Sequence, residues 1–249
     1  MRADEYLNIF ELENEYWWYK SLRDFLLTIL SANAFFHDPQ AFILDAGCGT
    51  GGALLCCSKV YPQGKAIGMD IMPEALFYCR KRGLKSLFRG SVENLPFANN
   101  SLDAIISLDV LYHLDVKDDE KALKEAYRAL KKGGKLLLHL PAFEFLKGGH
   151  DLVVHTRERY NRAKLYEKIK ESGFKVTKCT YRYAFFFPAL FLKRLRDRFM
   201  REEKKDSDLK KMPDFLNRLF YFISHCENRI TVNHDIPFGS SIFCIGEKV

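Results

Sequence analysis

The 249-residue sequence is short of several things, and each shortage removes a class of protein. Its seven cysteines (Cys48, Cys56, Cys57, Cys79, Cys179, Cys226, Cys244) include no CxxC pair and none at metal-ligand spacing from a histidine. That pattern argues against a zinc site or a disulfide frame and predicts reduced thiols in a cytosolic core. No apolar run suits a membrane-crossing helix: Tyr183 to Leu192 covers ten residues, about half of what a span needs. The opening Met1-Arg2-Ala3-Asp4-Glu5 lacks the apolar stretch of a secretory signal, so a cytoplasmic location is expected. Internal repeats and low-complexity linkers are missing too, which leaves one folded unit with attachments.

What is present suffices for a full core, since 47% of the residues are apolar. The net charge of +7 is modest but unevenly spread. The first fifteen residues are acidic and 157–211 are basic. Those cations have three readings: solvated helix faces, contact with an anionic membrane surface, or contact with RNA. The apolar run at 183–192 adjoins them and favours the membrane, while no RNA-binding motif accompanies them.

The densest signal is Phe42-Ile43-Leu44-Asp45-Ala46-Gly47-Cys48-Gly49-Thr50-Gly51-Gly52. A short apolar strand ends in a carboxylate, and glycines follow that let the backbone turn tightly and approach a ligand. Ala53, Leu54 and Leu55 then open a helix whose first amides face the loop. Gly47, Gly49 and Gly52 fit the dinucleotide pattern GxGxxG, with Asp70 at the expected distance. Asp45 opposes that reading, because its charge would repel a pyrophosphate and attract a cation.

Strands are predicted near 41–46, 65–70, 86–90, 102–108, 135–140 and 174–182, with a last one at Ser241–Ile245. Helices are predicted near 52–60, 73–82, 117–131 and 158–172, and two more within 1–40. Gly83, Gly133-Gly134 and Gly173 sit where helix C-caps belong, and Pro73 sits in a first turn. The alternation predicts an α/β, doubly wound, seven-stranded and mostly parallel sheet. Residues 184–239 break it and are read as a helical insertion before the last strand. Phe215, Leu216, Leu219, Phe220, Phe222, Ile223, Cys226 and Ile230 make a stripe there broad enough to bury on both sides.

Five segments in order resemble the class I S-adenosylmethionine-dependent methyltransferases of the type 11 kind. They are the 45–51 loop; Ala66-Ile67-Gly68-Met69-Asp70; Gly90-Ser91-Val92-Glu93-Asn94-Leu95-Pro96-Phe97; Ser101 to Leu114; and Lys131-Lys132-Gly133-Gly134 before the fifth strand. The likeness covers 41–141. The ends resemble a subgroup that opens on a tryptophan pair, here Glu15-Tyr16-Trp17-Trp18-Tyr19, with His150-Asp151 and His155-Thr156-Arg157-Glu158-Arg159-Tyr160 after strand five.

The resemblance implies a Rossmann-like methyltransferase fold with the last strand antiparallel between strands five and six. Residues 41–183 and 240–249 would form the cofactor-binding core, 1–40 a helical cap, and 184–239 a cover over the methyl acceptor. It implies S-adenosyl-L-methionine as cofactor: Asp45, Gly47, Cys48 and Gly49 at the methionine end, Asp70 on the ribose hydroxyls, and Ile71, Ser91 and Val92 around the adenine. Ser91 stands where the family commonly has Asp, so that contact is weakened. Leu108 leaves the carboxyl edge of strand four, and Trp18 and Arg23 are candidates to close over the cofactor. His113 and His155 are the candidate bases, with Tyr160 in the same polar cluster; His37, His139, His225 and His234 receive no role. No metal is expected. The expected acceptor is a small molecule, hydrophobic or linked to a lipid or glycan, reached with peripheral membrane contact through 184–211. Neither nucleic acid nor an obligate protein partner is favoured. A cofactor-binding protein without transfer activity and a methyltransferase acting on RNA stand as alternatives.

Overall fold

The computed structural model describes residues 3–32, 38–200 and 212–249. Two helices come first, α1 (Ala3–Leu12) and α2 (Trp17–Ser31). The alternating part runs β1 (Phe42–Ala46), α3 (Gly52–Val60), β2 (Lys65–Asp70), α4 (Pro73–Lys81), β3 (Leu87–Arg89), β4 (Leu102–Leu108), α5 (Asp119–Ala129) and β5 (Leu130–Pro141). A short helix α6 (Gly149–Val153), then α7 (Arg162–Glu171) and β6 (Phe174–Arg182), precede the helices α8 (Phe187–Phe199) and α9 (Asp214–Asn233), and β7 (Ser241–Lys248) ends the chain.

The seven strands form one sheet in the order β3-β2-β1-β4-β5-β7-β6. All neighbours are parallel except β7, which runs antiparallel between β5 and β6 as expected. Alternate residues serve opposite faces, as the two-residue strand period requires. Ile43, Ala104, Ile106, Leu137 and Phe243 pack under Phe25, Leu26 and Ile29 of α2. Leu44, Ile105, Leu136 and Leu138 face the other way, towards Leu123 of α5 and Leu165 and Ile169 of α7.

Three features differ from the sequence reading. Strand β5 begins at Leu130, because Leu130 pairs with Leu102 before the ladder shifts register and resumes at Ala104–Lys135. Gly133, with φ +78°, therefore turns the chain within that irregular strand instead of capping a helix. Cys179 and Cys244, directly opposed on β6 and β7, are joined as a disulfide, so the expectation of seven reduced thiols fails for this pair. The other difference concerns 184–239: α9 packs against α2, and no residue of α8 or α9 lines the cavity described below. The basic run was expected to continue to Lys211, and its 201–211 part lies outside the described residues.

Order in the sheet reverses between β1 and β4. The loops leaving their carboxyl edges part there, which is where open α/β sheets hold ligands.

Candidate active site

A cavity of about 220 Å³ opens at that point. Its floor is the glycine loop. Gly47 has φ +86°, and a Cβ on it would fall 2.2 Å from Val110 Cγ2, so the loops after β1 and β4 touch only because no side chain stands there. Asp45 at the end of β1 is buried, 1% exposed, and its Oδ2 has no hydrogen-bond partner. Burial pushes this carboxyl up to about 8, and the nearby charges of Asp70 and Glu13 add to the effect. The Leu54 amide alone opposes the shift, and a buried carboxylate oxygen left without a partner is costly unless a cation or a proton satisfies it.

Asp70 ends β2 across the loop. Its Oδ2 accepts from the Gly49 amide and its Oδ1 from the Met72 amide, both at 2.9 Å. Burial raises its pKa while these two amides and that of Ile71 lower it. Each oxygen keeps a lone pair for a second donor. Ile71, Met72, Gly90, Ser91 and Val92 continue the wall beyond it.

The N-terminal helices roof the cavity. Tyr6 and Ile9 of α1, Glu13 between the helices, and Trp18, Tyr19 and Arg23 of α2 all line it. Glu13 is the residue that sequence reasoning missed. It takes the Thr50 hydroxyl, the Arg82 guanidinium at 2.7 Å and, more distantly, Arg23, directly over the first turn of α3. A Cβ on Gly52 would fall 1.8 Å from its Oε1. Nothing in the sequence signals this, because the partners are 37 and 69 residues away.

Past β4, Asp109 takes φ +58° and lines the cavity. His139 on β5, wholly buried, donates from Nδ1 to the Asp109 carboxylate at 3.0 Å, and its Nε2 has no partner. His113 lines the cavity and its Nδ1 lies 2.6 Å from the Val154 carbonyl. A carbonyl only accepts, so Nδ1 carries the proton and Nε2 the lone pair. Burial lowers the His113 pKa, so the ring is neutral near pH 7.

The structure thus brings Trp18, Arg23, Asp45, Gly47, Cys48, Gly49, Asp70, Ile71, Ser91, Val92, Leu108 and His113 to one cavity. It does not bring His155 or Tyr160. Tyr160 is 1% exposed and donates to Asp119 at 2.6 Å, in a cluster with Arg157 and Lys168. His155, with φ +56°, shapes the chain through its carbonyl, which accepts from Leu114 N. Asp151 and Arg159 pair with each other at 2.8 Å. Cys48 faces Cys79 at 3.8 Å, and that contact and burial push its thiol far up, which leaves it inert. Among the described residues no three metal-ligating side chains converge.

The walls are mixed and do not single out the hydrophobic, lipid- or glycan-linked acceptor expected from the sequence: Ile9, Leu22, Met72 and Val116 line the cavity beside charged groups. Six carboxyl groups (Glu5, Glu13, Asp45, Asp70, Asp109, Asp115) line the cavity against one guanidinium, that of Arg23.

Comparison with known proteins agrees with this geometry. Residues 44–138 match the methyltransferase domain family. The chain is 34% identical over 136 residues, 54% of its own length and 29% of the relative's, to probable tRNA methyltransferase 9B of Bos taurus. It spans less than half the length of that and the other foremost curated relatives. In structure it resembles a chain of the Haloferax volcanii complex containing the Trm112 methyltransferase activator, with TM-score 0.62, 17% identity and coverage of 98% and 95%. It also resembles Haemonchus contortus phosphoethanolamine N-methyltransferase 2 in complex with S-adenosyl-L-methionine, with TM-score 0.53, 21% identity and coverage of 84% and 48%. At these identities the two structures establish the shared fold.

Proposed function

For a chain that carries a class I S-adenosylmethionine-dependent methyltransferase domain, we propose that the cavity under α1 and α2 binds that cofactor and transfers its methyl group to an acceptor entering beside Asp109 and His113. One observation carries the reading: Asp45 Oδ2 is buried in the glycine-loop wall without a partner. It is placed where an α-ammonium would satisfy it. The residues present fit the rest of the cofactor. Asp70 keeps lone pairs for two ribose hydroxyls, the glycines of the loop let a ligand approach the backbone, and Ile71 and Val92 offer apolar surface to a base. Ser91 is less suited than a carboxylate to an amino group, because its hydroxyl already accepts from the Glu93 amide at 3.2 Å.

The bound cofactor supplies an electrophilic methyl on a sulfonium. This chain's residues then have three tasks. The α1–α2 roof excludes water and fixes the line of attack. Asp109, held by His139, orients the acceptor's polar hydrogen. His113, neutral and with Nε2 unprotonated, takes that proton when the acceptor is a hydroxyl or an ammonium. Contact of 184–211 with a membrane is peripheral in this reading, since no described helix is long and apolar enough to cross one.

The acceptor has a second reading. The tRNA methyltransferase named among the relatives favours RNA, and the Trm112 complex favours an activator protein alongside it. The acidic walls oppose entry of a phosphate, so an RNA would present only a base to the cavity. Isothermal titration with the cofactor and its demethylated product tests the first claim, and no binding of either sinks it. Labelled methyl transfer to total tRNA and to a small-molecule extract then separates the acceptors. Binding without transfer to any of them leaves the non-catalytic alternative standing.

A further inference from the structure

Helix α9 is built inside out. Its buried residues are Ser224, Glu227, Asn228 and Thr231, all polar. Each is satisfied. Glu227 accepts from the amides of Tyr183 and Phe185, and Asn228 donates to the Ser21 carbonyl at 2.9 Å and accepts from Arg182 at 2.8 Å. Thr231 donates to the Glu227 carbonyl and Ser224 to that of Tyr221. The outward face is apolar: Phe215, Leu219, Phe222, Cys226 and Ile230 follow one another at three- and four-residue steps. Phe215 is 71% exposed and Phe222 64%. A surface helix ordinarily does the reverse.

Helix α8 repeats the arrangement on a smaller scale. Leu192, Leu195 and Phe199 share one face and are 63%, 41% and 82% exposed. Apolar stripes of this kind mark a surface that something covers. Charge indicates what that is. The two helices expose Lys193, Arg196, Arg198, Arg218 and Arg229, against Asp214 and the Arg-paired Asp197 as their acids. The core of a protein–protein interface is depleted of charge. Aromatic and aliphatic side chains flanked by cations, on helices lying flat, match an anionic bilayer surface.

We propose that the outward faces of α8 and α9 form a docking surface for an anionic lipid membrane, with the Phe215–Phe222 stripe entering the headgroup boundary and the arginines meeting lipid phosphates. Neither helix lines the cofactor cavity, so this holds whether or not methyl transfer is established.

The test is co-sedimentation of the full chain with vesicles of phosphatidylcholine alone and of phosphatidylcholine mixed with phosphatidylglycerol. The chain is expected to pellet with the mixed vesicles only, and less as salt is raised. The double variant F215S/F222S, whose side chains are exposed, should lose about tenfold or more of vesicle affinity. R218E/R229E should lose about fivefold for each cation removed. Both variants should keep the cofactor affinity of the parent by calorimetry, which shows that they fold. Equal sedimentation with both vesicle types, or unchanged vesicle affinity in a folded F215S/F222S variant, overturns the proposal. So does a dimer in solution that F222S dissociates.

Discussion

His139 lies wholly buried on β5 with its Nδ1 3.0 Å from the carboxylate of Asp109, the residue that closes β4 at the cavity wall. Parallel pairing of Leu108 with His139 sets the two side by side, and the Asp109 amide donates to the His139 carbonyl at 2.8 Å. The pair holds the carboxylate of a cavity-lining residue in a fixed direction. D109N should lower kcat by about a hundredfold while leaving cofactor affinity near that of the parent. H139Q, acting only through Asp109, should lower kcat by about tenfold and raise the acceptor KM. Equal loss of cofactor binding in both variants would show that the pair merely supports the fold.

Asp45 makes cofactor binding depend on pH with a definite sign. In the empty protein burial pushes its carboxyl up to about 8, so near pH 7 it carries a proton. An ammonium beside it favours the ionised form, so binding below pH 8 releases one proton and affinity rises with pH. Above about pH 8 the ligand's own α-amino group loses its charge, and affinity falls again. Calorimetry should therefore give a maximum near pH 8 for the parent and a flat, weak response for D45N. Stability has the opposite sign. A carboxyl raised above its unfolded value binds more protons in the folded state, so folding weakens as pH rises from about 4 to 8. D45N should then melt higher than the parent at pH 8.

Glu13 ties the roof to the loop through Thr50 and Arg82, whose guanidinium is 8% exposed. E13Q leaves that guanidinium without its carboxylate and should cost about 3 kcal/mol of stability, measured by denaturant unfolding. Because Glu13 is also one of the charges that raise Asp45, the affinity maximum of E13Q should move to lower pH. An unmoved maximum in a destabilised protein would mean that the two carboxyls do not communicate.

Local geometry was readable in the sequence, and long-range pairing was not. The glycine loop, Asp70 and the Pro73 helix start are written in residues within reach of one another along the chain, and α4 begins at Pro73 as its fixed φ predicts. The strand alternation likewise follows from short-range pattern. Glu13 over Gly52, His139 against Asp109 and Cys179 opposite Cys244 depend on which strands become neighbours, and no motif announces them. The insertion misled for another reason. Its stripe Phe215 to Ile230 reads as a helix to be buried, whereas the network of Glu227, Asn228 and Arg182 draws the polar side inwards.

The cluster of 150–160 after β5 gives the sharpest contrast between a polar residue that supports the fold and one proposed to take a proton. Tyr160 donates to Asp119 at 2.6 Å, and Asp119 also meets Lys168 at 3.0 Å and Arg157 at 3.5 Å, all away from the cavity. Y160F should therefore cost about 1–2 kcal/mol of stability through the lost hydrogen bond, with kcat unchanged once the protein is folded. His113 should behave in the opposite way. Its ring lines the cavity with Nδ1 fixed on the Val154 carbonyl, so H113Q should fold normally and lose about a hundredfold in kcat for an acceptor that must shed a proton. Burial lowers the His113 pKa, so the ring charges only below its ordinary value, and at saturating cofactor the parent's kcat should fall only in acid and stay level from neutral pH upwards. H113Q should lack that acid limb. A rate that falls with Y160F at unchanged stability, or an acid limb that survives in H113Q, would move the proton transfer out of the cavity and into the Asp119 cluster.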